Sequence, residues 1–197
     1  MDGAAVLRAV SEGQDMLGPA VDLDWTQQAA NVDWTVARTV AHIAEGLLWY
    51  ATDMVGGPTE LSSMDLQVRD DTPPADLLRT QRAFGLVLAR VLDAAAPEDR
   101  GWHAFGLPDA SGFAGSACDE ILVHTADAAG GLGLTFEPSK ELAEGVLRRL
   151  FPDAPTDVDP WQALLWANGR VKLPGRERQS RWRWHCSPLS EWRGEAS

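Results

Sequence analysis

A chain of 197 residues can bury one sizeable hydrophobic core but hardly two, so one domain with a short appendage is expected. A net charge of −12 repels phosphate backbones and anionic lipid, which sets nucleic acid and membrane surfaces aside as expected partners. No stretch is long and apolar enough to span a bilayer, Met1 to Met16 lacks the regions of a secretory signal, and Cys118 and Cys186 make neither a disulfide framework nor a CxxC pair, so a cytoplasmic location is expected.

Val6, Val10 and Leu17 recur at helical spacing from Gly3 to Leu17, and Gly18-Pro19 closes this first helix. Thr35 offers a side-chain oxygen to cap a second helix running to about Met54, ended by Gly56-Gly57-Pro58. A polar connection from Thr59 to Thr72 is long enough to cross from one end of a bundle to the other. Leu77, Leu78, Phe84, Leu88 and Val91 form the apolar stripe of a third helix over Ala75 to Ala95, with Pro73 and Pro74 at its start. Ser111 can cap a fourth helix from Gly112 to about Ala129, stopped by Gly130-Gly131 and Gly133. Shorter helices are expected over Pro138 to Leu150 and Pro160 to Ala167. The tail from Gly169 gathers arginines and then alternates them with tryptophan through Trp184, a pattern that suits a short strand. The whole reads as an all-α four-helix bundle over residues 1–155 with a long crossover connection, carrying an extension over 156–197 packed on the bundle.

On the fourth helix Phe113, Ala117, Glu120, His124 and Asp127 fall on one stripe. Three polar residues in a bundle seam either face solvent, where Glu-x-x-x-His is an ordinary ion pair, or turn inward for a purpose. On the second helix His42 lies in the apolar run Thr39-Val40-Ala41-His42-Ile43-Ala44, where a bare imidazole needs a partner, be it a backbone carbonyl, Glu45 or a metal. Together the two helices offer two imidazoles and one carboxylate. That donor set suits zinc first and nickel, manganese or iron(II) after it, and three protein ligands leave a position open for water, a thiol or a substrate oxygen.

The segment Asp33-Trp34-Thr35-Val36-Ala37 followed by His42, then Gly112-Phe113-Ala114 and Asp119-Glu120-Ile121-Leu122-Val123-His124-Thr125-Ala126-Asp127, resembles the DinB-like, mycothiol-dependent maleylpyruvate isomerase family. The resemblance spans most of residues 1 to 150. It implies a metal-binding four-helix bundle in which His42, Glu120 and His124 are the ligands. It also implies mycothiol as cosubstrate, a small electrophilic substrate and an isomerase or S-transferase reaction, with a homodimer as a further expectation. The founding isomerase has a separate C-terminal domain that supplies an arginine to its active site. Here some forty residues follow the bundle, so the resemblance carries the thiol further than it carries maleylpyruvate.

Asp127, one turn past His124, is placed to accept a hydrogen bond from a ligand imidazole and fix its tautomer, or else to meet solvent. His103, in the loop before the fourth helix, is a candidate proton carrier at the site mouth, or a loop histidine with no role. Arg181 and Arg183 are candidates to fold back onto a carboxylate of the substrate or thiol, with solvated arginines on a packed strand as the alternative. Trp49 reads as a core tryptophan and Cys118 as a small buried side chain. Two further classes remain beside the thiol enzyme: a hydrolase in which metal-bound water attacks, and a non-catalytic binding protein of the same fold.

Overall fold

The computed structural model describes residues 1–194. Its helices are α1 (Gly3–Leu17), α2 (Val36–Gly56), α3 (Pro74–Ala94), α4 (Ala110–Gly131), α5 (Lys140–Leu150) and α6 (Pro160–Ala167). The first four make the expected bundle. Around the ring α1 packs on α3, α3 on α2, α2 on α4 and α4 back on α1, and their apolar stripes meet in one core that includes Val10, Leu17, Ile43, Leu47, Leu88 and Ile121. α2 and α4 are therefore side by side, which is what lets His42 face Glu120 and His124.

The caps show why the helices start where they do. Asp2 Oδ1 accepts the Ala5 N–H at 2.9 Å and Thr35 Oγ1 accepts the Arg38 N–H at 3.1 Å, each satisfying an otherwise orphaned donor. α3 begins with Pro74, whose missing N–H costs nothing in the first turn. α4 is capped by Asp109, which accepts the Gly112 N–H at 2.7 Å, and not by Ser111 as the sequence suggested. Ser111 instead accepts the Arg149 Nε–H at 2.8 Å, and Arg149 also holds Asp109 at 2.9 Å, so a guanidinium from α5 fixes the carboxylate as the cap.

The strand expected in the tail does not form. Among the described residues β-pairing is confined to three isolated bridges, at Gln28 with Thr35, His103 with Gly106 and Leu173 with Arg176. The 181–186 segment runs across the ends of α4 and α5, where the bundle offers it individual partners and no strand edge. The His185 N–H donates to the Leu150 carbonyl at 2.8 Å, while Arg149 donates to the carbonyls of His185 at 3.0 Å and Cys186 at 2.8 Å. The chain passes so close to α4 that a Cβ on Gly112 would lie 2.2 Å from the Cys186 carbonyl oxygen, so only glycine fits there.

Candidate metal centre

His42 projects from the second turn of α2, and Glu120 and His124 project one turn apart from α4. Glu120 Oε2 lies 3.4 Å from His42 Nε2 and 3.1 Å from His124 Nε2, and one ligand atom from each residue lies within 4.8 Å of the others. Glu45, the other partner open to His42, is occupied by Arg38 and by the Val68 N–H at 2.8 Å. Side-chain exposure falls from 31% at His42 to 15% at Glu120 and 11% at His124, so the cluster is reached from the His42 side. Trp34 roofs that side, its ring 4.7 Å from His42 and 6.1 Å from His124, with the Arg38 guanidinium 5.9 Å from the indole.

A layer of buried polar groups supports the cluster. His124 Nδ1 is 3.1 Å from Asp127 Oδ2, and Asp127, itself almost fully buried, is held by Arg170 Nη2 at 2.8 Å and by Asn31 Nδ2 at 3.2 Å. Burial alone would raise the Asp127 pKa, but the hydrogen bonds from His124 and Arg170 outweigh it and hold the carboxylate below its usual range. Burial alone would lower His124; the hydrogen bond to Asp127 and the adjacent negative charge of Glu120 raise it to about 9. Glu120 is likewise penalised by burial, yet the imidazoles of His124 and His42 keep it well below the ordinary carboxylate value. Its neighbour Asp119 lies beside the cluster with its carboxylate engaged elsewhere, accepting from Asn168 Nδ2 at 2.8 Å and Trp184 Nε1 at 2.9 Å. Burial pushes Asp119 up to about 7.

The three side chains fit a small divalent cation. A tetrahedral ion with bonds of about 2.0–2.1 Å needs donors about 3.4 Å apart, close to the separations seen here. Neither imidazole N–H is directed at Glu120 Oε2, so that buried oxygen has no hydrogen-bond partner. An acceptor left so at the meeting point of two imidazoles is what a cation would satisfy. Beside it lies a cavity of about 290 Å³, walled by Trp34, the three candidate ligands, Arg170 and Trp182 among others.

The profile of the mycothiol maleylpyruvate isomerase N-terminal domain matches residues 6–129. The chain belongs to that family. No curated protein and no solved structure gives a significant match. Within the mycothiol maleylpyruvate isomerase N-terminal domain lie all three candidate ligands, Asp127 and Trp34. Beyond it lie the groups that close the cavity from the C-terminal side, namely Asn168, Arg170, Trp182 and Trp184.

The other residues singled out in the sequence are placed as follows. His103 does not line the cavity: its Nδ1 accepts the Phe105 N–H at 3.0 Å and its ring lies against Tyr50, Phe105 and Trp184, where burial lowers its pKa. Arg181 is exposed, and Arg183 donates to the Phe105 carbonyl at 3.2 Å and covers the Phe105 ring; neither lines the cavity. The arginine that does is Arg170. Trp49 is half-buried away from the cavity, and Cys118 is fully buried, with burial pushing its thiol up. Arg170 was legible only as one of a run of tail arginines, and Trp34 only as part of the segment around a helix cap that carries the family resemblance, with no role at the site indicated. Nothing in the local sequence marks either as part of the centre.

Proposed function

We propose that residues 1–155 form a metal-binding bundle completed by the extension over 156–197, and that the chain is a metal-dependent, thiol-using enzyme, an isomerase or S-transferase. His42, Glu120 and His124 are its ligands, zinc its first-choice ion, mycothiol its cosubstrate and a small electrophile its substrate. The observation that carries this reading is the convergence of two imidazoles on a buried carboxylate oxygen that has no other partner. Two unpaired cysteines, both buried, suit a reducing cytoplasm, and no described helix is long and apolar enough to cross a membrane.

A bound divalent ion supplies one thing here, a positive charge that keeps a thiol ionised at neutral pH. The protein's own residues do the rest. Asp127 accepts a hydrogen bond from the His124 Nδ1–H and so leaves the Nε2 lone pair directed at the cluster. Arg170 holds Asp127 in place and puts a positive charge in the cavity wall, favouring substrates that carry negative charge near the reacting carbon. Trp34 and Trp182 exclude water from the space in which a thiolate would meet its electrophile.

Elemental analysis of the purified chain, followed by thiol titration with and without chelator, tests the reading. About one divalent ion per chain is expected, with mycothiol binding lost on chelation and both lost in His42→Ala, Glu120→Ala and His124→Ala. Turnover of an ester or amide without added thiol would move the assignment to a hydrolase. Tight ligand binding by metal-free protein would make it a carrier.

A further inference from the structure

Behind the indole wall of the metal cavity lies a second cavity, of about 370 Å³, that the proposed reaction does not use. The rings of Trp166, Trp182, Trp184 and Trp192 line it, together with the polar side chains of Asp153 and Arg183. Trp182 and Trp184 line both cavities, and their rings, 6.0 Å apart and inclined at 45°, make a concave corner. Trp166 Nε1 is committed to the Glu177 carbonyl at 2.8 Å and Trp184 Nε1 to Asp119 at 2.9 Å, so these indoles offer their faces and not their N–H groups. All six residues lie C-terminal to the matched family domain.

Three classes of ligand can be weighed against this lining. A cation would be drawn to the indole faces, but Arg183 in the same wall offsets the pull of Asp153 and leaves no net negative charge to hold it. A flat apolar molecule would strip water from Asp153, Gln179 and Arg183 and return no hydrogen bonds. A saccharide ring satisfies both halves of the lining. Its C–H faces, slightly positive, meet the negative faces of the indoles, while hydroxyls at its edge donate to Asp153 and accept from Arg183.

We propose that this groove binds a saccharide ring and, resting on the metal and thiol reading above, that the ring is the sugar body of the thiol cosubstrate whose sulfur enters the neighbouring metal cavity. Mycothiol, in which the cysteine is carried on a sugar and cyclitol, is the probe, and N-acetylcysteine is the same thiol without that body. Both are titrated by calorimetry into the zinc-loaded full chain. Mycothiol is expected to bind at least tenfold more tightly than N-acetylcysteine. Trp192→Ala should bring that ratio close to one with N-acetylcysteine affinity unchanged. Asp153→Asn, at an exposed position where folding is not at stake, should lower the ratio severalfold. Equal affinity for the two thiols, or a ratio that survives both substitutions in variants that melt like the parent, overturns the groove and leaves the metal centre standing. Failure of both thiols to bind removes the thiol reading and this inference with it.

Discussion

Because Asp127 Oδ2 sits 3.1 Å from His124 Nδ1 and is clamped by Arg170, the imidazole is fixed in orientation and in tautomer. Asp127→Asn keeps the shape but loses the negative charge, and zinc affinity should fall by roughly ten- to a hundredfold, read by competition with a chromogenic chelator. Unchanged affinity would show that the ring is positioned by packing alone. Asp53 is a carboxylate shifted in the opposite direction. It is buried, its Oδ1 has no partner, and burial, with Glu60 nearby, raises its pKa from 3.8 to about 6. Between those values the folded chain holds the proton more tightly than the unfolded one, so its contribution to stability falls as pH rises through that window. The full penalty stands above about pH 6. Asp53→Asn should therefore stabilise the protein by about 1–2 kcal/mol at pH 7.5, an advantage that shrinks to nothing near pH 4, measured by urea unfolding at both pH values. At this scale Asp127 was legible because helical spacing alone puts it beside His124. Asp53 was not, since nothing in Ala51-Thr52-Asp53-Met54 tells a buried carboxylate from a solvated one.

Among the elements, helix positions followed from apolar periodicity and from glycine and proline stops, because those signals are local. The start of α4 and the conformation of the tail did not, and both misses lead to Arg149. This guanidinium, 5% exposed in its side chain, binds Asp109, Ser111 and two tail carbonyls at once. Its partners come from positions about forty residues away on either side, so no local pattern can reveal that it selects Asp109 as the cap and ties the tail to α4 and α5 instead of leaving it to pair as a strand. Arg149→Met keeps the apolar stem but leaves two buried carbonyls without donors and Asp109 without its counter-charge. A loss of about 3 kcal/mol is expected. Hydrogen exchange should rise in residues 181–194 before it rises in α1 to α3. Uniform exchange across the chain would mean that the tail does not depend on this clamp.

Taken as one molecule, the bundle and the meeting of His42 with Glu120 and His124 could be read ahead because each of the two helices carries its own signal. The completion of the cavity could not. Asp119 with Asn168 and Asp127 with Arg170 join α4 to residues more than forty positions later, and only the folded chain brings them together. The same long-range logic gives the metal a mechanical role. His42 stands on α2 and the other two ligands on α4, so an ion held among them would cross-link two sides of the core and bind the folded chain far better than the unfolded one. With free zinc at about a hundred times its dissociation constant, linkage adds about 2.7 kcal/mol, which for a domain of this size raises the melting temperature by about 5–10 °C. Calorimetric scans of zinc-loaded and chelator-treated protein should differ by that amount. In Glu120→Gln, which keeps the size of the side chain but replaces the carboxylate with an amide, the difference should collapse. A zinc-dependent shift that persists in Glu120→Gln and in His42→Ala would place the stabilising ion elsewhere on this acidic surface, because a cation bound among scattered carboxylates needs neither of those residues.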